Sequence, residues 1–401
     1  MCYNGDMARK NILVLLWSTG ASVRDFIHSK WGNVRRAWFA DGTYTDVFTA
    51  KLGAATSWQR YIYKNFDFSE VKARGTYVID YDGYVSDPFP IDKGVYANIW
   101  QKSASDYLAV QMDHMRIREG YKIWRNAAHM DDALQAPKNM SWFDGWSMGG
   151  TVDSGYEDYE HIPGLAVGGF CDAGDFDIQI GSNLTLIDKL ATAYQVFGDN
   201  YDTLDVDWDT KNVELHRPDN IPDLVQLAAH GALQMKAELD NVGFLASVIE
   251  VPTLRQYTHL GDGSKDTDNR IYDPELGEDE VDGLHAGKRD DRLAFFTTKS
   301  ISTNANGAAA LANTAAILKD YDPKTAAAFI ATAEKVWNDP ALSHEGTEGA
   351  SSWFGPSGPA DWALAIALYN ATGKDVYKDR IVECFDTRMS TESTGGGWFA
   401  S

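Results

Sequence analysis

Apolar residues in the 401-residue chain change their spacing near residue 95, and that change divides the sequence in two. Before it, short aromatic or β-branched runs predominate: Val14 to Leu16, Trp58 to Tyr63 and Thr76 to Ile79, punctuated by Gly75, Asp82-Gly83 and Pro88. Runs of this length between turn formers predict strands. Their spacing predicts a small β-sandwich of immunoglobulin type over residues 1–92, with Asp87-Pro88-Phe89-Pro90 as the junction. From Val95 the period becomes helical. Tyr96, Trp100, Ala104, Tyr107, Leu108 and Met112 fall three or four apart, which predicts one apolar helix face.

Further helices follow the same rule. Leu186, Leu190, Ala193, Tyr194 and Phe197 predict a helix ended by Gly198. Pro218-Asp219-Asn220-Ile221-Pro222 supplies a start signal for the next, with Leu224, Leu227, Ala228, Gly231, Met235 and Leu239 at helical spacing. Ala308 to Leu318, Thr325 to Trp337, Ala360 to Thr372 and Asp375 to Phe385 complete a set of about seven. Short turns join the later ones, which predicts hairpins stacked into a toroid over residues 93–401. No fixed repeat length supports a solenoid. Between the helices lie two long irregular connections. Residues 120–170 carry Trp124, Trp142, Trp146, Tyr156, Tyr159 and His161; residues 250–300 carry Gln256 to Asp262 and a dense acidic stretch near Glu278. Connections of that length inside a compact domain tend to be functional, and aromatics on them suit a sugar cleft or plain packing.

Composition narrows the partners. With 58 acidic against 36 basic residues the net charge is −22, which opposes binding to nucleic acid or an anionic membrane surface but not to a neutral polysaccharide. Thirteen Trp and nineteen Tyr are a large aromatic supply for stacking on sugar rings or for the core. The three cysteines, Cys2, Cys171 and Cys384, are far apart, so neither a disulfide framework nor a cysteine zinc site can be read from them. Cys171 reads as a small apolar filler rather than a nucleophile. No run has transmembrane length. Arg9-Lys10 and the apolar residues after it have the outline of a leader, but the core is short and a strand accounts for it as well.

The chemistry is concentrated in Gly168-Gly169-Phe170-Cys171-Asp172-Ala173-Gly174-Asp175-Phe176-Asp177, three carboxylates within six residues behind two glycines. Glycines permit close backbone approach. Asp172 and Asp175, three apart, can point to one side of a helix-like turn and share one water, making its oxygen more nucleophilic. The same residues would also serve as a cap, a turn or part of a calcium loop, although the spacing of an EF-hand is absent.

Motif and helical pattern together make the chain resemble glycoside hydrolase family 9, the inverting cellulases with an (α/α)6 barrel. Gly168 to Asp175 matches that family's Gly-Gly-Trp-x-Asp-Ala-Gly-Asp motif, with Phe170 in place of Trp. Thr76-Tyr77 through Ile91 is similar to the end of its amino-terminal immunoglobulin-like domain, and Asp219 to Leu224 to the start of a barrel helix. The resemblance implies a mainly α fold, an incomplete (α/α)6 barrel preceded by a small immunoglobulin-like β-sandwich. It implies Asp175 as general base, Asp172 as its partner on the water, and a cleft in which Trp142, Trp146, His161, Tyr257 and His259 bind a β-glucan such as cellulose. An inverting site separates its acid and base by about 6.5–9.5 Å. The family's general acid lies in a Glu-Asn-Glu-Tyr-like segment near the carboxyl terminus; no such segment occurs before Ser401, so a C-terminally truncated catalytic domain is expected. The resemblance also implies an extracellular or periplasmic location.

Some members with this domain order carry a zinc site of Cys and His after the first helix. Here the region reads Asp113-His114 and Ala128-His129 without cysteine, so zinc is not expected, while calcium has no diagnostic spacing. A glycan-binding chain that keeps the cleft but lacks the acid, or another helical-toroid carbohydrate enzyme, stand as the alternatives.

Overall fold

The computed structural model describes residues 11–15, 31–38, 43–58, 61–97, 99–138, 152–251, 253–265, 267–289, 292–296, 299–342, 351–352, 355–356, 360–394 and 398–399. Trp142 and Trp146 lie outside the described residues. The chain forms two compact units, residues 1–99 and 100–401.

The first unit is built from β1 (Asn11–Leu15), β2 (Trp31–Trp38), β3 (Thr43–Lys51), β4 (Thr56–Trp58), β5 (Tyr61–Asp67), β6 (Gly75–Tyr81), β7 (Tyr84–Val85) and β8 (Phe89–Ile91). They pair into a three-stranded sheet, β1-β5-β4, and a second sheet, β3-β2-β6-β7, with β8 also on β6. Every pairing is antiparallel. Phe66 from one sheet and Tyr77 and Ile79 from the other share an apolar core with Phe68, Val71 and Ile91. Asp82-Gly83, both at positive φ, make the tight turn between β6 and β7.

The second unit contains, among the described residues, α1 (Ile99–Gln111, whose first residue closes the first unit), α2 (Ile180–Phe197), α3 (Asp223–Asn241), α4 (Ile301–Leu318), α5 (Pro323–Trp337), α6 (Ala360–Thr372) and α7 (Asp375–Glu392). Local signals set several ends. Gly198 at φ 58° returns its N–H to Tyr194 O and stops α2. The Ser300 hydroxyl and the Asp322 carboxylate accept from Thr303 N and Thr325 N, capping α4 and α5. Helix α4 packs on α2, α3, α5 and α6. Its buried face is largely alanine with Gly307, which lets four neighbours approach. Helix α3 is buried on nearly all sides, and Gly231 admits α2: a Cβ there would lie 2.5 Å from Ile187 Cγ1.

One expectation is corrected. Helix α1 forms, but Trp100 and Tyr107 of the expected stripe are exposed, as is Tyr96 in the turn before it; Ala104 and Leu108 are half-buried, and Met112, just past the helix end, is buried. The buried side carries Gln101, Ser105 and Ala109.

The connections are not featureless. β9 (Arg116–Glu119), β10 (Lys122–Arg125), β13 (Leu204–Asp207) and β14 (Asn212–Leu215) form one sheet in the order β10-β9-β14-β13. β16 (Ile271–Tyr272), β17 (Val281–Asp282) and β18 (His285–Ala286) form a small one in the second loop. A four-stranded sheet of β11 (Leu134–Gln135), β12 (Ile178–Gln179), β15 (Val248–Glu250) and β19 (Leu293–Phe295) has the order β11-β19-β15-β12. β11 runs parallel to β19, while β15 runs antiparallel to both β19 and β12. Strands β11, β19 and β12 therefore point the same way. Their amino-terminal ends share one edge, and the residues just before them (Asp132, Arg292 and the Asp172–Asp177 loop) are gathered there.

Candidate active site

The acidic loop is set from behind by its glycines. Gly168 and Gly169 sit at φ 69° and 83°. A Cβ on Gly168 would come to 2.3 Å from His230 O, so the turn lies directly on the backbone of α3. His230 holds it there: its Nε2 donates to Gly169 O at 2.9 Å, and its Nδ1 accepts from Trp208 Nε1 at 3.2 Å. Burial drives the His230 pKa down to about 3, which keeps the ring neutral and able to play both roles. Asn183 on α2 clamps Phe170 from both sides, its Oδ1 accepting from Phe170 N at 2.7 Å and its Nδ2 donating to Phe170 O at 2.9 Å. Phe170, in the Trp position of the family motif, packs edge-on against His230 with ring centroids 5.4 Å apart.

Beyond Cys171 the loop closes on itself, with Asp172 N donating to Asp177 O at 2.8 Å. Asp172 is exposed and Asp175 half-buried. The Asp175 Oδ1 is shielded from solvent and accepts no hydrogen bond from the described protein atoms. Asp177 is buried; burial raises its pKa, opposed by Gln179 Nε2, which donates to its Oδ2 at 2.6 Å. Burial also pushes the Cys171 thiol up to about 12, so no thiolate forms near neutrality.

The other predicted cleft residues fall in two places. Gly261 N donates to Gly174 O at 3.0 Å, which brings the exposed Tyr257 and His259 onto the segment beside the acidic loop. His161 is half-buried and donates through Nε2 to Asp131 O at 2.7 Å, with Tyr272 beside its ring.

Sequence patterns did not single out Arg292, which is fully buried below the loop. Its Nη1 donates to Phe176 O and its Nη2 to Asp113 Oδ2, both at 2.5 Å. Its Nε donates to Asp132 Oδ2 at 2.9 Å, and Nη2 also reaches Asp132 Oδ2. On the far side of Asp113, His129 Nδ1 donates to Oδ1 at 2.9 Å. Burial alone would raise the Asp113 carboxyl; Arg292, His114 and His129 override it and hold it well below the usual range. The only local hint of Arg292 is a charge set immediately before the apolar run Leu293 to Phe296. Two carboxylates and an imidazole come together here, with a guanidinium already across both carboxylates. With that guanidinium among them, the residues present do not fit a zinc ion.

With this geometry in place, the comparisons can be stated. A family model described as Glycosyl hydrolase family 9 matches residues 96–400. No curated protein matches the chain. Among solved structures, a metagenome-derived glycoside hydrolase family 9 endoglucanase is 19% identical with a TM-score of 0.59, covering 94% of this chain and 61% of that one. The Bacteroides ovatus GH9 structure is 17% identical with a TM-score of 0.57, at 94% and 61% coverage. A Zn-binding triple mutant of the family 9 endoglucanase J30 is 14% identical with a TM-score of 0.59, at 96% and 63%. At these identities the likeness concerns the fold. The chain spans about three fifths of the length of the structures it matches.

Proposed function

The chain belongs to glycosyl hydrolase family 9, and on that premise we propose that it cleaves β-glucosidic bonds of cellulose or a related β-glucan with inversion, as an endo-β-1,4-glucanase type of enzyme. In this reading Asp175 takes a proton from the attacking water and Asp172 accepts the water's second hydrogen bond. The observation that carries it is the Asp175 Oδ1, turned away from bulk solvent yet without a donor among the described residues, on a loop anchored at Gly169 by His230 and at Phe176 by Arg292. An oxygen so placed keeps a lone pair for a water proton. Tyr257 and His259 would line the sugar cleft beside it, with Trp142, Trp146 and His161 completing it.

The architecture that goes with this is an (α/α)6 toroid over residues 93–401 behind an immunoglobulin-like sandwich over 1–92. The antiparallel hairpins α4–α5 and α6–α7 support the toroid. For the sandwich, Tyr77 donates its hydroxyl to Ala73 O at 2.8 Å, four residues upstream at the head of β6, as a tyrosine corner does. An extracellular or periplasmic site of action follows from the polymeric substrate; no described helix is long and apolar enough to cross a membrane.

β-Cellobiosyl fluoride tests the base directly, because fluoride departs with little help from an acid. The purified chain should release α-cellobiose, seen by NMR, and bind cello-oligosaccharides in calorimetry. Release of the β-anomer would refute inversion. Absence of both hydrolysis and binding would refute the substrate class, and binding without hydrolysis would favour the glycan-binding alternative.

A further inference from the structure

Below the acidic loop, Asp113, His114 and Asp132 each offer a ligand atom, all buried and within 4.8 Å of one another. His114 makes the set look like an ion site. Its Nδ1 donates to His129 O at 2.8 Å, so the neutral ring keeps its lone pair on Nε2. That Nε2 is buried, has no hydrogen-bond partner among the described residues, and lies 3.9 Å from Asp113 Oδ2. An imidazole nitrogen and two carboxylates facing one point are ordinary ligands of a divalent cation.

The same point is already served by a cation that belongs to the chain. Arg292 bridges Asp113 and Asp132, and the two carboxylates hold its guanidinium charged against the cost of burial. A dication placed among these ligands would meet that positive charge at contact distance in a medium of low dielectric. Three residues that touch the network, His114, His129 and Phe176, adopt positive φ, a conformation that persists only where the surroundings over-determine it. We infer that the Arg292 guanidinium is the structural cation of this cluster, standing where a metal ion would otherwise sit, and that through Phe176 O it fixes the loop bearing Asp172 and Asp175. The fork geometry suits this role: a planar donor set can satisfy two carboxylates and a carbonyl together, from segments distant in sequence. The consequence is a fold that needs no ion here but becomes metal-dependent if the guanidinium is removed. Neither part requires the hydrolase reading, since the test below reads metal and loop order and not turnover.

The test compares wild type, Arg292→Ala and Arg292→Lys by metal analysis, thermal unfolding and amide exchange. Wild type should carry far less than one equivalent of zinc, and its Tm should not move with EDTA. Arg292→Ala leaves two buried carboxylates without their partner, and its Tm should fall by roughly 10 °C. Zn²⁺ at micromolar concentration should restore most of that loss, and Co²⁺ should give the visible absorption of a low-coordinate site. His114→Gln in the same background should abolish both. Amide exchange at Cys171 and Asp172 should accelerate in Arg292→Ala and slow again with Zn²⁺. Arg292→Lys keeps the charge without the fork and should lose less Tm while binding no Co²⁺; it and the wild-type measurements decide the matter if Arg292→Ala does not fold. One tightly held zinc in wild type, or a wild-type Tm lowered by EDTA, overturns the inference. So does an Arg292→Ala protein that loses stability yet takes up no Zn²⁺ or Co²⁺.

Discussion

The two acids of the motif are neighbours in sequence but not in environment: Asp172 is exposed, and Asp175 turns one oxygen inward. Asp175→Asn keeps the shape and removes the proposed proton acceptor. Turnover of β-cellobiosyl fluoride should fall by about 10²–10⁴-fold, the usual worth of general base help. Asp172→Asn should lose less, since the proposed base stays in place, and an equal or larger loss would exchange the two roles. Behind them, Gly168 is a purely steric requirement. Its φ of 69° and the 2.3 Å approach of a Cβ to His230 O leave no room for a side chain against helix backbone. Gly168→Ala should destabilise the protein by about 2–4 kcal/mol in urea unfolding. A change under about 0.5 kcal/mol would mean that the turn can move off α3.

Helix α3 carries its own titration. Glu238 is buried, accepting from Gln234 Nε2 at 2.9 Å and Ala246 N at 2.6 Å. Burial pushes its pKa up to about 7 from 4.5, more than those two donors bring it down. The folded chain therefore keeps a proton that the unfolded chain releases. The stabilising contribution is complete below pH 4.5 and is lost as pH rises to about 7, amounting to roughly 3 kcal/mol. Glu238→Gln should flatten that slope, because an amide can accept from Ala246 N and donate to the otherwise unpartnered Gln234 Oε1. Denaturation of both proteins at pH 5 and 8 checks this; parallel curves would show that Glu238 is ionised throughout. Helix α5 depends instead on its cap. Asp322→Ala removes the acceptor for Thr325 N and should cost about 1 kcal/mol by the same measurement.

At the scale of the molecule the dominant quantity is charge. A net −22 repels itself in the compact state, and salt screens that repulsion within about 10 Å at 0.1 M. Raising NaCl from 10 to 200 mM should raise the Tm by a few degrees, and a fall would show that attractive surface pairs dominate. The Arg292 network is out of reach of this screening because it is buried. The same charge should leave the protein unretained on heparin at low salt, and retention would show a basic face that the net charge hides.

What the sequence determined alone is what short-range physics encodes. Gly198 ends α2, Asp322-Pro323 starts α5, and Gly168-Gly169 make the positive-φ turn that leads into the acidic loop. The period of α1 was legible too, but not its buried side. Trp100 and Tyr107 look like core on a helical wheel, yet Gln101 and Ser105 are the residues that pack. Which face is covered depends on neighbours, and neighbours are not a local property. Arg292 is the limiting case, 160 residues from Asp132 and 179 from Asp113. Nothing around any of the three announces the others. Asp132 and Arg292 meet because β11 and β19 run parallel in one small sheet, which sets both strand starts side by side, and Asp113 reaches Arg292 from the end of α1. Only the tertiary structure could decide that, because a buried charge takes its meaning from the partners that folding brings to it.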